Sequence, residues 1–216
     1  MTAPVQASGV SPRFLALLAA EDLAGKRVLD LGCGWGRLSL ILAREAAVVI
    51  GLDRDPALVQ EARARAAAAG LGHVEFHQAD VEREEYTQWR PDLVTAHLCA
   101  SDAIAERAAR ALPRGAALGV VSFHVDQWQE TGRVSRFAYD EARMEAGLRR
   151  AGLVPEVIEV EREVTRFRSV EEGLAAAVGL EDRWRSDGRW HRFIAFLESG
   201  GRTLTRSHLI VKARKP

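Results

Sequence analysis

The chain has 216 residues, enough for one domain with a sizeable core. Thirty basic residues balance thirty acidic ones, so the basic excess of a phosphate-neutralising surface is missing and nucleic acid is disfavoured as a partner. No apolar run approaches the roughly 18 residues that cross a bilayer, and the first ten residues carry no basic start and no apolar signal core, so the expected setting is the cytoplasm with no membrane partner.

Ser11-Pro12 reads as a helix start, with Phe14, Leu15, Leu17 and Leu18 on the apolar side. That helix either covers a sheet or serves as a lid. Residues 26–31 read as a short buried strand. Gly32, Gly34 and Gly36 follow at every second position, enclosing Cys33 and Trp35, and a helix-like run begins at Arg37. Strand, glycine turn and helix let a backbone approach a ligand closely. The spacing is G-x-G-x-G, which differs from the dinucleotide fingerprint G-x-G-x-x-G, and no G-K-[ST] ending marks a triphosphate loop.

Residues 47–52 read as a second buried strand ending in Asp53-Arg54, and Pro56 opens an alanine-rich helix closed by Gly70. A carboxylate about twenty residues beyond a glycine loop suits the two hydroxyls of a ribose. Asp53 could instead cap the helix, although Asp55, directly before Pro56, suits that role better. Val74, Phe76 and Gln78 alternate with polar neighbours, as in a strand near a sheet edge, and Asp80-Val81 follows. His73 and His77 have a metal spacing only on a helix, and Cys33 and Cys99 form neither a disulfide framework nor C-x-x-C, so no metal is expected.

Residues 92–94 read as a fourth strand leading to His97, and Cys99 beyond it reads as a small core residue. An amphipathic helix over 102–112 ends at Pro113-Arg114-Gly115. Residues 117–123 are apolar throughout, as in a strand covered on both faces, with His124 and Trp128 after it. A helix over 139–151, a strand over 153–160 and a last strand over 204–211 complete the pattern. Between those last strands, residues 169–200 carry Leu174, Trp184, Trp190, Phe193 and Phe196, enough for a helical cap. Arg183, Arg185, Arg189 and Arg192 on it form a solvated face or reach inward to an anionic substrate.

The run Val28-Leu29-Asp30-Leu31-Gly32-Cys33-Gly34-Trp35-Gly36 resembles the first motif of the class I S-adenosylmethionine-dependent methyltransferases. The likeness covers residues 25–99 by motif and the remainder by layout. It implies a three-layer, doubly wound α/β fold and one domain over 1–216, with a lid helix in 1–24 and a helical cap at 169–200. The mostly parallel seven-stranded sheet would have order 3-2-1-4-5-7-6, its seventh strand antiparallel. S-adenosylmethionine is the implied cofactor. Its binding set would be Asp30, Gly32, Cys33, Gly34, Trp35, Gly36, Asp53, Arg54, Asp80, Val81 and His97, with Asp80 accepting from the adenine amino group and the Val81 N–H serving a ring nitrogen.

Where DNA and glutamine N-methyltransferases carry Asn/Asp-Pro-Pro-Tyr/Phe/Trp, this chain has His97-Leu98-Cys99-Ala100, which argues against amino methylation of an adenine base. His97 is either a general base or a pocket wall. His124, Trp128 and Arg189 are the substrate-side candidates, in a chamber roofed by 169–200 and floored by the ends of the fourth and fifth strands. The expected function is methyl transfer to a small molecule at O, N or C. An S-adenosylmethionine-binding protein without transfer, and a nicotinamide-dependent oxidoreductase disfavoured by the glycine spacing, are the alternatives.

Overall fold

A computed structural model describes residues 9–216. The first eight, which belong to the 1–24 lid segment and to the stretch read as free of a signal, lie outside the described residues.

Local chemistry sets the element starts. Ser11 Oγ accepts from Phe14 N at 3.3 Å and Pro12 takes the first helical position, beginning α1 (Pro12–Ala19). Then come β1 (Arg27–Leu31), α2 (Arg37–Leu42), β2 (Val48–Asp53), α3 (Pro56–Ala68), β3 (Val74–Gln78) and β4 (Leu93–His97). The second half holds α4 (Asp102–Ala111), β5 (Ala117–His124), β6 (Ala138–Tyr139), α5 (Glu141–Arg150) and β7 (Val154–Arg166). It closes with α6 (Val170–Ala176), α7 (Glu181–Asp187), α8 (Arg189–Glu198) and β8 (Thr203–Arg214).

The sheet order is β3-β2-β1-β4-β5-β8-β7, with the two-residue β6 beside β5. Without β6 this is the expected order, parallel apart from its antiparallel last strand. β1 lies between two parallel neighbours, with Asp30 opposite Gly51 of β2 and Thr95 of β4.

By packing, the chain divides into two compact units. One holds residues up to 122, 141–159 and 210–216; the other holds 123–140 and 160–209. In the first, Phe14, Leu18, Val28, Val49 and Leu93 are fully buried in one cluster, each contributing about 1.5–3 kcal/mol. A Cβ on Gly119 of β5 would stand 2.6 Å from Leu18 Cδ2, so glycine there lets α1 lie close on the sheet. Phe14 and Leu18 thus pack α1 against the sheet. In the second unit, Trp184 packs edge-on against Trp128 and Phe193, each at 5.3 Å between centroids. These rings and Leu197 form its core.

A partly buried ion network also belongs to the first unit. Arg214 Nη2 donates to Glu21 Oε1 at 2.7 Å and to Glu156 Oε2 at 2.9 Å, and Lys212 pairs with both carboxylates.

Two elements differ from expectation. β7 runs to Arg166 instead of ending near 160, and β6 was not foreseen. Residues 159–166 are exposed, so sheet pairing defines them and no burial pattern marks them in the sequence. Among the described residues, no helix is long and apolar enough to cross a membrane.

Candidate active site

The glycine loop sits at the carboxyl ends of β1 and β2, where doubly wound sheets bind ligands. Gly32, Gly34 and Gly36 all have positive φ, at +64°, +53° and +86°. Two of them also need the missing Cβ: at Gly32 it would lie 2.6 Å from Cys99 Sγ, and at Gly36 2.8 Å from Phe76 Cζ. At Gly34 no atom of the described residues, its chain neighbours aside, stands within 4 Å of a Cβ position, so the loop is open to them there.

Asp53, half-buried at the end of β2, braces the loop. Its Oδ2 accepts from Gly34 N at 2.8 Å and its Oδ1 from Asp55 N at 3.0 Å. Asp55 takes the capping role, accepting from Ala57 N at 2.9 Å. Asp53 is therefore left to the loop. Arg54 is exposed, with its carbonyl accepting from Gln78 Nε2 at 3.3 Å. Asp80 is exposed after β3, where its Oδ1 accepts from Glu82 N at 3.0 Å. Val81 is buried beside it and accepts from the Tyr86 hydroxyl.

Asp30 is 1% exposed, and both oxygens face hydroxyls: Ser39 Oγ at 2.5 Å and Thr95 Oγ1 at 3.2 Å. Burial lifts its carboxyl to about 6, against the lowering pull of those two bonds. It ties β1 to α2 and β4 beneath the loop. The Trp35 ring lies under two guanidiniums, Arg65 at 4.0 Å and Arg37 at 4.7 Å. Burial pushes the Cys33 thiol up, and that of Cys99 to about 11, which favours the protonated thiol at both.

A methyltransferase-domain family model matches residues 22–167. The chain belongs to the class I S-adenosylmethionine-dependent methyltransferases. It is 41% identical over 75 residues to the ubiquinone biosynthesis O-methyltransferase of Pasteurella multocida, 34% of this chain and 31% of that protein. It is 48% identical over 61 residues to the 23S rRNA (uracil(1939)-C(5))-methyltransferase RlmD of Xylella fastidiosa (strain Temecula1), 28% of this chain and 14% of that protein. The match thus spans under a third of the length of either relative. The YcgJ protein of Bacillus subtilis shares the fold, with a TM-score of 0.72 at 16% identity over 95% of this chain and 99% of that one.

His97 ends β4, half-buried, with its ring 6.3 Å from that of Phe14. Leu98 follows in the left-handed region at φ +57°, its N–H donating to Val121 O at 2.7 Å. That strain in a leucine turns the chain sharply off β4 just beyond His97. Nothing in the sequence marks it, since left-handed backbone favours glycine or asparagine.

The second unit holds the other candidates. His124 is 5% exposed, with Nδ1 at 3.0 Å from Ser207 Oγ and 3.5 Å from Asp126 Oδ2. Trp128 lies in the aromatic core, with its own φ at +57°. Both are parts of that unit's framework. Arg189, 6% exposed at the start of α8, pairs with Asp187. Its neighbours Arg133 and Arg136, from the segment before β6, were not foreseen because they lie far from it in sequence.

Proposed function

We propose that this chain transfers a methyl group from S-adenosylmethionine to a small-molecule acceptor. The observation that carries the reading is the open glycine loop tied by Gly34 N to Asp53. S-adenosylmethionine supplies a methyl on a sulfonium centre, open to in-line attack. Each oxygen of Asp53 keeps acceptor capacity for a ribose hydroxyl. Asp80 accepts from the adenine amino group, the Val81 N–H meets a ring nitrogen, and the 32–36 loop and Arg54 complete the set. Asp30, Cys33 and Trp35 shape the loop from behind.

His97 borders the transferred methyl and takes the acceptor's proton when the acceptor must lose one. Most of the protein's work is to hold donor and acceptor in line and away from water. Balanced charge supports a small acceptor over a polyanion. The two free thiols suit a reducing cytoplasm.

Calorimetry with S-adenosylhomocysteine and with NAD, followed by a methyl-transfer screen across metabolite pools, tests the reading. The expected result is binding of the first compound, none of NAD, and transfer to at least one metabolite. His97→Ala should then lower transfer with S-adenosylhomocysteine affinity near wild type. NAD binding would turn the reading to an oxidoreductase, and cofactor binding without transfer in any pool would leave a binding protein.

A further inference from the structure

The second unit contains a cavity of about 440 Å³ that the cofactor site does not use. Arg133 and Arg136 reach it from the segment before β6, and Arg183 and Arg189 from α7 and α8. One carboxylate, Asp187, stands against these four guanidiniums. Asp187 pairs with Arg189, and its backbone carbonyl accepts from Arg133. The cavity wall therefore carries an excess of positive charge.

Arg189 is the buried member of the set. Its Nε–H is sealed from solvent and has no hydrogen-bond partner among the described residues. A buried donor on a cation is costly unless something accepts from it. Desolvation lowers the Arg189 pKa, and the nearby Arg133 and Arg183 charges add to that while Asp187 opposes it. Asp187 is the one carboxylate on the wall, and Arg189 already engages it. Two apolar side chains also line the cavity, Val134 and Phe137, 59% and 45% exposed.

We infer that this cavity binds small organic acids, its arginines holding a carboxylate or phosphate group and Val134 and Phe137 covering an apolar body. An oxyanion in the cavity offers the lining guanidiniums the planar, charge-assisted partners that suit them and adds the negative charge that the single carboxylate of Asp187 does not supply. This goes beyond the methyl-transfer reading, because the site lies within the second unit and requires no transfer.

Titration calorimetry on the full chain tests it with benzoate, phenyl phosphate and the neutral analogue benzamide. One of the two acids should bind at least about tenfold tighter than benzamide, and which one does separates carboxylate from phosphate recognition. Arg189→Gln risks the fold because the residue is buried, so Arg133→Gln and Arg183→Gln, both exposed, carry the test. Each should weaken the acid about tenfold at an unchanged melting temperature, and Asp187→Asn should tighten it by removing the competing carboxylate. Acids that bind no better than benzamide, or equal acid affinity in wild type and both glutamine variants, would overturn the proposal.

Discussion

Gly34 N donates to Asp53 Oδ2 at 2.8 Å across nineteen residues of sequence, joining the tip of the glycine loop to the end of β2. The contact fixes the loop before any ligand arrives and leaves the carboxylate half-exposed. Asp53→Ala should weaken S-adenosylhomocysteine by about 2–3 kcal/mol, roughly 30- to 160-fold, through loss of charge-assisted ribose bonds and of the brace. Calorimetry reads this directly, and wild-type affinity in the variant would remove Asp53 from the ribose.

Asp30 predicts an unusual pH limb. Its folded pKa of about 6 lies above its ordinary 3.8, so between those values the folded state holds more protons than the unfolded state. Stability from this group therefore falls as pH rises through that window. Asp30→Asn keeps one acceptor and adds a donor for the Ser39 and Thr95 hydroxyls, so the variant should lose this limb and equal or exceed wild type near neutral pH. Urea midpoints measured across the window check both statements.

Glu21 acts with the opposite sign. Hydrogen bonding to Arg214 chiefly lowers its carboxyl from 4.5 to about 2, with Lys212 adding to the effect. Its contribution is complete above pH 4.5 and lost as pH falls towards 2. Glu21→Gln should cost about 3 kcal/mol at neutral pH, because Lys212 is buried with it, and should flatten the acid limb. Acid titration of the melting temperature is the check.

Nucleic acid should bind only weakly and with steep salt dependence, because charge is balanced and the Asn/Asp-Pro-Pro-aromatic run is missing. The similarity to an rRNA methyltransferase makes this worth measuring. A tight complex with structured RNA that persists at physiological salt would reverse the choice of acceptor.

The glycine loop was legible because left-handed backbone and close contacts leave a compositional mark, as at Gly32 and Gly36. Asp53 and Asp55 were separable because a residue directly before a helix-opening proline is placed to cap it. The strand order followed from the family likeness that the loop carried. Arg133 and Asp187 were not legible as partners, since 54 residues separate them and arginine at an exposed turn reads as solvated. Nor was the far half of β7, whose exposed residues join the sheet through backbone bonds that any side chain permits.

The second unit consists of two separate stretches, 123–140 and 160–209, so the chain passes between units at four junctions, three of them inside β5, β7 and β8. This constrains protein engineering. Exchanging that unit with a relative's means transplanting both stretches together, since Arg133 on one and Arg189 on the other line the same cavity. Three of the splices fall in mid-strand, where a one-residue error inverts which side chains face inward. Variation by point substitution within the cavity is therefore the easier route to new ligand preference than modular shuffling.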